Sequence, residues 1–393
     1  MFESISTEQI EYSDPWSLSF ERRLAMLRAG ETRIAYFYDN PDNSTFRYRA
    51  FNMVEAINDV NAHEVSASWF HVGDLPQMES VIGACDVLIF CRSKYTPAHA
   101  HLVSMAHRRG IRIGFDIDDL VFNTQYTHLV LDTLDQDTSN EAALNDFFAF
   151  MARHGTLLKL CDFAITTNQF LAKKIEEFAP HLTAKIVPNF LNRKQQEISE
   201  SFFHQKKATG FRTTAPFHIG YFSGTPTHRR DFAVVSQTLA RLLDRYSELR
   251  LTIVGFLEPG PYLEPHVDRI DRHPLQDFLN LQRLIASTEI NIAPLIDNTF
   301  TNCKSELKYF EAAITGTLTI ATPTYTFDKA IRDDQTGYLS KSHEWEEKLE
   351  IAIARLRNPD SYADIALRAF NECKSFYGWD RQADKIRVAT LGT

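Results

Sequence analysis

The sequence predicts an α/β protein built from two Rossmann-like, doubly wound domains that face each other across a cleft. Three observations carry this. The chain has 393 residues, more than one compact core usually holds. From about residue 33, short β-branched or aromatic runs alternate with helical patterns, which is the punctuation of βαβ units and a parallel sheet. The alternation then repeats after a polar stretch at 192–215.

The first series opens with a buried strand at ETRIAYFYDN and a helix at FRYRAFNMVEAINDV. Strands follow at EVSASWFHV and CDVLIFCR, then a helix at AHAHLVSMAHRRG and a strand at IRIGFDI. After a stretch rich in acids and amides come a helix (FFAFMARHGTLLKLC), a strand (DFAITTN), a helix (QFLAKKIEEFAP) and a strand (TAKIVPN). These elements place residues 1–195 in an N-terminal domain. NRKQQEISESFFHQKKATGFRTTA is polar, charged and free of a strand pattern, so 196–215 reads as a linker. The second series, over 216–372, runs FHIGYFSG, FAVVSQTLARLLDRYSE, LRLTIVGF, LQDFLNLQRLIAST, EINIAPL, KSELKYFEAAITG and TLTIATP, strand and helix in turn. The tail at 373–393, with SFYGWDRQADKIR, is expected to cross back onto the first domain. Open α/β sheets bind ligands outside the C-terminal ends of their strands, so the site is expected in the cleft.

Composition narrows the function classes. Hydrophobic content of 44% and charged content of 24% are those of a soluble globular chain. A net charge of −9 argues against non-specific nucleic-acid binding, which needs clustered cations. The five cysteines are scattered and lack CxxC spacing, which fits free thiols in a reducing cytoplasm. The N-terminus is polar and acidic, unlike a secretory signal, and no run reaches the roughly 18 apolar residues of a membrane span. A cytoplasmic protein is expected, with peripheral contact to a membrane left open.

Four stretches can carry chemistry. In IGYFSGTPTHRRDF a strand ends at Ser223-Gly224 and a helix begins near Asp231, leaving Thr225, His228, Arg229 and Arg230 in the turn. Glycine, cations and a helix N-terminus suit an anion such as a diphosphate, and an ordinary βα turn uses similar residues. In KSELKYFEAAITG, Lys304, Lys308 and Glu311 fall within a fan of roughly 60° on a helix, with Glu306 on the far side. Either an anion lies between the lysines, or the trio is a solvated ion-pair cluster. In GFDIDDLVF, Asp116, Asp118 and Asp119 follow a strand, where they could hold a divalent cation or cap a helix. In DNSTFRYRAF, Arg47, Tyr48 and Arg49 open a helix, where either an anionic partner offsets the helix dipole or the arginines are simply exposed. No histidine spacing indicates a metal site, and no GxSxG elbow or activated cysteine occurs.

Taken in order, these stretches resemble a GT-B glycosyltransferase, similar to the retaining family-4 enzymes of bacterial surface polysaccharide synthesis. HIGYFSGTPTHRRDF, LRLTIVG, INIAPL, KSELKYFEAA and DDQTGYL carry the resemblance in the second half, and YRAFN, DVLIFCR and FDIDDLVF in the first. It implies a nucleoside-diphosphate sugar as donor substrate, a glycan or lipid-linked glycan as acceptor, and neither metal nor cofactor. Gly224, Thr225, His228, Arg229, Arg230, Lys304, Ser305 and Lys308 would face the diphosphate. Glu311, with His273 and Leu275, would face the ribose and base. Arg47, Tyr48, Arg49 and Asp116 would lie on the acceptor side, and Glu311, Lys308, Asp118 and Asp119 nearest the chemistry. Glu311 matches the second acid of the family's E-x7-E motif, whereas Cys303 stands at the first. An inverting GT-B transferase or a nucleotide-sugar epimerase shares this cleft, with Asp118 or Asp119 as the general base of an inverting enzyme. From another class, a non-catalytic glycosyltransferase-like subunit of a polysaccharide assembly complex fits the missing first acid.

Overall fold

The computed structural model of the protein describes residues 1–61, 63–224 and 229–392. The first sheet consists of β1 (Thr32–Tyr38), β2 (Val65–His71), β3 (Val87–Cys91), β4 (Arg112–Ile117), β5 (Phe163–Thr166) and β6 (Ala184–Ile186). Its order is β2-β1-β3-β4-β5-β6, and every pairing is parallel. The second sheet consists of β7 (Phe217–Phe222), β8 (Leu249–Val254), β9 (Ile270–His273), β10 (Ile290–Ala293), β11 (Leu318–Ala321) and β12 (Tyr338–Leu339). Its order is β12-β11-β10-β7-β8-β9, again parallel throughout. Helices cover both faces of such sheets, so strands are buried on both sides and read as continuous apolar runs. All five residues of β3 and all six of β7 are buried accordingly. The doubly wound α/β prediction holds. Only β9 and β12 escape the sequence pattern, one because IDRH is polar and the other because it is two residues long.

Strand order reverses between β1 and β3 in the first sheet, and between β7 and β10 in the second. These switch points leave crevices at the strand C-terminal ends.

Three boundaries differ from the sequence reading. Residues 193–208 are not a loose linker but the Arg193–Ala208 helix, with Gln195, Gln196, Ser199 and Lys206 buried. Their polarity serves partners far along the chain: Gln282 donates to Ser199 Oγ at 2.8 Å, and Lys206 donates to Thr317 Oγ1 at 2.9 Å. The first ten residues belong with the second sheet, since Phe2 and Ile5 are part of its core and Ile10 exchanges two 2.9 Å hydrogen bonds with Asn280. The crossing back begins later than 373. The Pro359–Tyr377 helix stays on the second core, and the Ala383–Leu391 helix then places Ile386 and Ala389 among Ile34 and Val54 of the first.

Candidate functional site

A cavity of about 380 Å³ lies between the two sheets, lined from both. From the first domain it takes Asp42 to Ser44 after β1, Arg47, Tyr48, and Asp118 and Asp119 after β4. From the second it takes Phe222 to Gly224 after β7, Leu275 and Gln276 after β9, Leu295 after β10, and Lys304, Ser305, Lys308 and Glu311. A groove of about 600 Å³ shares Asp42, Ser44, Asp119 and Lys304 with it and runs on past Arg92, Lys94, Phe147 and Phe150.

The KSELK segment is shorter as a helix than its periodicity predicts. The helix is Leu307–Ala313, and Lys304 and Ser305 precede it in the connection from the Thr299–Asn302 turn. Lys308 and Glu311 still share its cavity-facing side, being three residues apart. Glu311 is buried, and its Oε1 accepts the Tyr48 hydroxyl, Gln195 Nε2 at 3.1 Å and Arg47 Nη2 at 3.4 Å. Burial holds the Tyr48 phenol far above its ordinary pKa, so it remains a donor. Arg47 stacks on the Tyr48 ring at 4.0 Å and donates to Gln195 Oε1 at 2.8 Å. This bracket joins the domains across the cleft, and sequence reading missed Gln195 because the polar stretch at 192–215 shows no pattern that would single it out.

Lys308 is different. Its Nζ lies 4.4 Å from the Tyr221 ring centroid, and it makes no ion pair or hydrogen bond among the described residues. Burial pushes its ammonium down to about 8, aided by Lys304 and opposed by Asp231 and Glu311. Lys304 lies 3.6 Å from Asp119 and 4.4 Å from the Phe300 ring centroid.

The acids after β4 do not cap a helix, since Asn123 caps the next turn by accepting from Gln125 N. Asp118 accepts from Arg92 at 3.2 Å and from Thr45 at 3.3 Å, and Asp119 lies 3.9 Å from Arg92. The cationic partners of this pair come from both domains. Arg92, missed in the sequence, holds φ at 42° directly after β3, a strained backbone position of the kind that gathers at functional sites.

Other predicted site residues lie elsewhere. Arg49 and Asp116 are fully buried and form a bidentate pair at 2.7 and 2.9 Å, so they cannot touch an acceptor. Arg49 also donates to Val187 O at 2.8 Å, which makes the pair a pin between β4 and the segment after β6. The five-residue π-helical turn Arg47–Phe51 separates Arg49, aimed into the core, from Arg47 and Tyr48, which line the cavity. Arg229 and Arg230 do not line the cavity, because acids of the facing domain attract them: Arg230 Nε donates to Asp135 at 3.0 Å, and Arg229 lies 3.7 Å from it. His273 ends β9 outside the lining, while Leu275 is part of it. Thr225 and His228 fall outside the described residues. Cys303 is fully buried in the first-domain core cluster and its carbonyl accepts Asn168 Nδ2 at 2.9 Å, so it does not replace the missing acid.

Residues 216–358, which carry β7 to β12, the Gly224 turn and Lys308, match the model of the family described as Glycosyl transferases group 1. The second domain is a glycosyltransferase domain. The enzyme class expected from the sequence rests on it. Comparison with curated protein sequences gives no match. Among solved structures, the chain is similar to Anabaena HepE in complex with UDP and glucose, at 12% identity and TM-score 0.56, covering 90% of this chain and 98% of that one. It is also similar to sucrose-phosphate synthase from Thermosynechococcus elongatus (11% identity, TM-score 0.55, 90% and 96% covered). A glycosyltransferase from Rickettsia africae gives 11% identity, TM-score 0.58 and coverage of 90% and 97%. At such identities the likeness concerns the fold, and the two facing sheets are those of a GT-B protein.

Proposed function

We propose that the cleft binds a nucleoside-diphosphate sugar and transfers its hexosyl unit, with retention, to a glycan or lipid-linked glycan in cell-surface polysaccharide synthesis. The observation that carries this reading is Lys308, an ammonium without an anionic partner among the described residues, on the wall of the interdomain cavity. A half-buried cation that Asp231 and Glu311 favour only from beyond ion-pair distance is stabilised when an anion joins it. Lys304 and Ser305 stand beside it, and Gly224 faces it across the cavity. A Cβ on Gly224 would meet nothing within 4 Å among the described residues, so the backbone there is open to the cavity. Phe222, Val254, Leu275 and Leu281 supply an apolar end for the base.

Breaking the anomeric bond leaves negative charge on the diphosphate and positive charge on the sugar. Lysines fixed in a water-poor cleft stabilise the first, and the carboxylates of Glu311, Asp118 and Asp119 the second. In front-side attack the C1–O bond to phosphate breaks, the C1–O bond to the acceptor forms, and the acceptor's proton passes to the departing diphosphate. The acceptor then lies in the continuing groove by Arg92, Lys94, Phe147 and Phe150, in place of the Arg49–Asp116 pair. HepE was solved with UDP-glucose, which makes UDP-glucose the first donor to test. A thermal-shift screen of UDP-, GDP-, dTDP- and CMP-sugars should raise the melting temperature with one base class. NMR of the product anomer should show retention, and EDTA should leave turnover unchanged. Failure of every nucleotide sugar to bind would overturn the reading.

A further inference from the structure

On the opposite side of the KSELK segment lies a second cavity of about 400 Å³, at the seam between the domains. The first domain contributes Thr167 to Gln169 and Pro188, and the second Glu306, Tyr325, Thr326 and Phe376. Its floor is unusual. Glu306 is 7% exposed, and its carboxyl has no cation within ion-pair distance among the described residues. Oε1 accepts the Tyr377 hydroxyl at 2.6 Å; the Ser305 hydroxyl and the Glu306 N–H also favour the charged carboxylate, but neither completes a hydrogen bond to Oε2 in good geometry. A buried carboxylate oxygen left unsatisfied is destabilising, and few are tolerated without a purpose. Burial pushes this carboxyl above its ordinary range. The rim is aromatic, with Phe376 51% exposed and Tyr325 beside it, and the remaining polar groups are uncharged amides and hydroxyls apart from Lys329 and Glu372.

We propose that this seam cavity is a second binding site, for a neutral sugar ring of a glycan. The Glu306 carboxylate can accept a ring hydroxyl, aromatic faces cover the apolar side of the ring, and the volume sits within the range of small-ligand pockets. An anionic ligand would meet Glu306 at the floor and Glu372 in the lining, and a cationic one would meet Lys329. The site is independent of the donor chemistry proposed above, but it is coupled to the cleft by the backbone they share. Asn168 Nδ2 donates to Cys303 O at 2.9 Å, Tyr325 N to Asn302 Oδ1 at 2.6 Å, and Thr326 Oγ1 to Lys304 O at 2.8 Å. The residues that line the seam therefore hold the segment that presents Lys304 to the cleft. Occupancy of the seam should change nucleotide affinity by several-fold, and by linkage nucleotide should change sugar affinity equally.

Saturation-transfer NMR on the full chain tests this with methyl glucoside, methyl galactoside, maltose, cellobiose and di-N-acetylchitobiose as probes. At least one should give ring-proton signals that persist in excess UDP. The signals should vanish in a Tyr325→Ala/Phe376→Ala variant that keeps its circular dichroism, and weaken several-fold in Glu306→Gln. A UDP effect that levels off at a several-fold change in sugar affinity is the coupling itself; displacement that grows without limit as UDP is raised places the sugar in the cleft and overturns the proposal. So does persistence in the rim variant, or silence from every probe. The rim variant decides the matter even if UDP does not bind, so failure here is distinct from failure of the donor reading.

Discussion

The two faces of the cleft treat charge in opposite ways. On the first-domain side charges are matched within the protein: Arg92 with Asp118 and Lys94 with Asp39 on the cleft wall, and Arg49 with Asp116 in the core behind it. On the second-domain face Lys308 makes no ion pair among the described residues, although the same helix carries Glu311, whose Oε1 accepts three donors. Removing one member of a buried pair exposes the other to desolvation, whereas removing a lone buried cation takes away a cost. The first side is thus built for rigidity, and the second carries a cation that no ion pair among the described residues offsets.

The largest effect should come from breaking the matched face. Arg49→Ala leaves Asp116 buried and alone, and should cost about 3–5 kcal/mol. For a domain of this size that lowers the melting temperature by on the order of 10 °C in calorimetry. A shift of only a degree or two would show that the pin is not structural. Lys308→Ala should do the reverse: melting temperature held or raised, and kcat/KM down by roughly 10²–10³-fold in a nucleotide-sugar transfer assay. If stability falls and turnover holds, the contrast between the faces is wrong.

A smaller effect tests the bracket joining them. Tyr48→Phe removes one of the donors to Glu311 while Arg47 and Gln195 remain, so denaturant unfolding should show a loss of about 1 kcal/mol. The smallest is a proton. Lys308 titrates near 8 in the folded chain and near 10.4 when unfolded. Between those values the unfolded state binds more protons, so stability of the free protein should rise with pH across that window. A bound diphosphate favours the charged form. Nucleotide affinity should therefore fall as pH rises through 8, with a fraction of a proton taken up on binding near pH 8. Calorimetry in buffers of different ionisation enthalpy measures that uptake; proton release would contradict it.

Much of this was legible in the chain. β1, β3, β7 and β10 announce themselves because strands buried on both faces need unbroken apolar runs, and their C-terminal ends located the cleft. Lys304, Ser305, Lys308, Glu311, Gly224, Leu275, Asp118 and Asp119 all line it. Arg49 and Arg47 show where the reading stopped. They are two residues apart, yet one is locked to Asp116 and the other reaches Glu311, 264 positions away. Helical periodicity likewise put Glu306 on a far, solvated side, when that far side is a second cavity. Apolar burial follows from local pattern, because any apolar surface serves as a partner for any other. The sequence by itself therefore determined the two sheets, their order of elements and the position of the cleft. A buried charge needs one particular partner at hydrogen-bond distance. Which charges pair, which carboxylate spans the domains and which lysine is left without an ion pair among the described residues were decided only when the chain closed on itself.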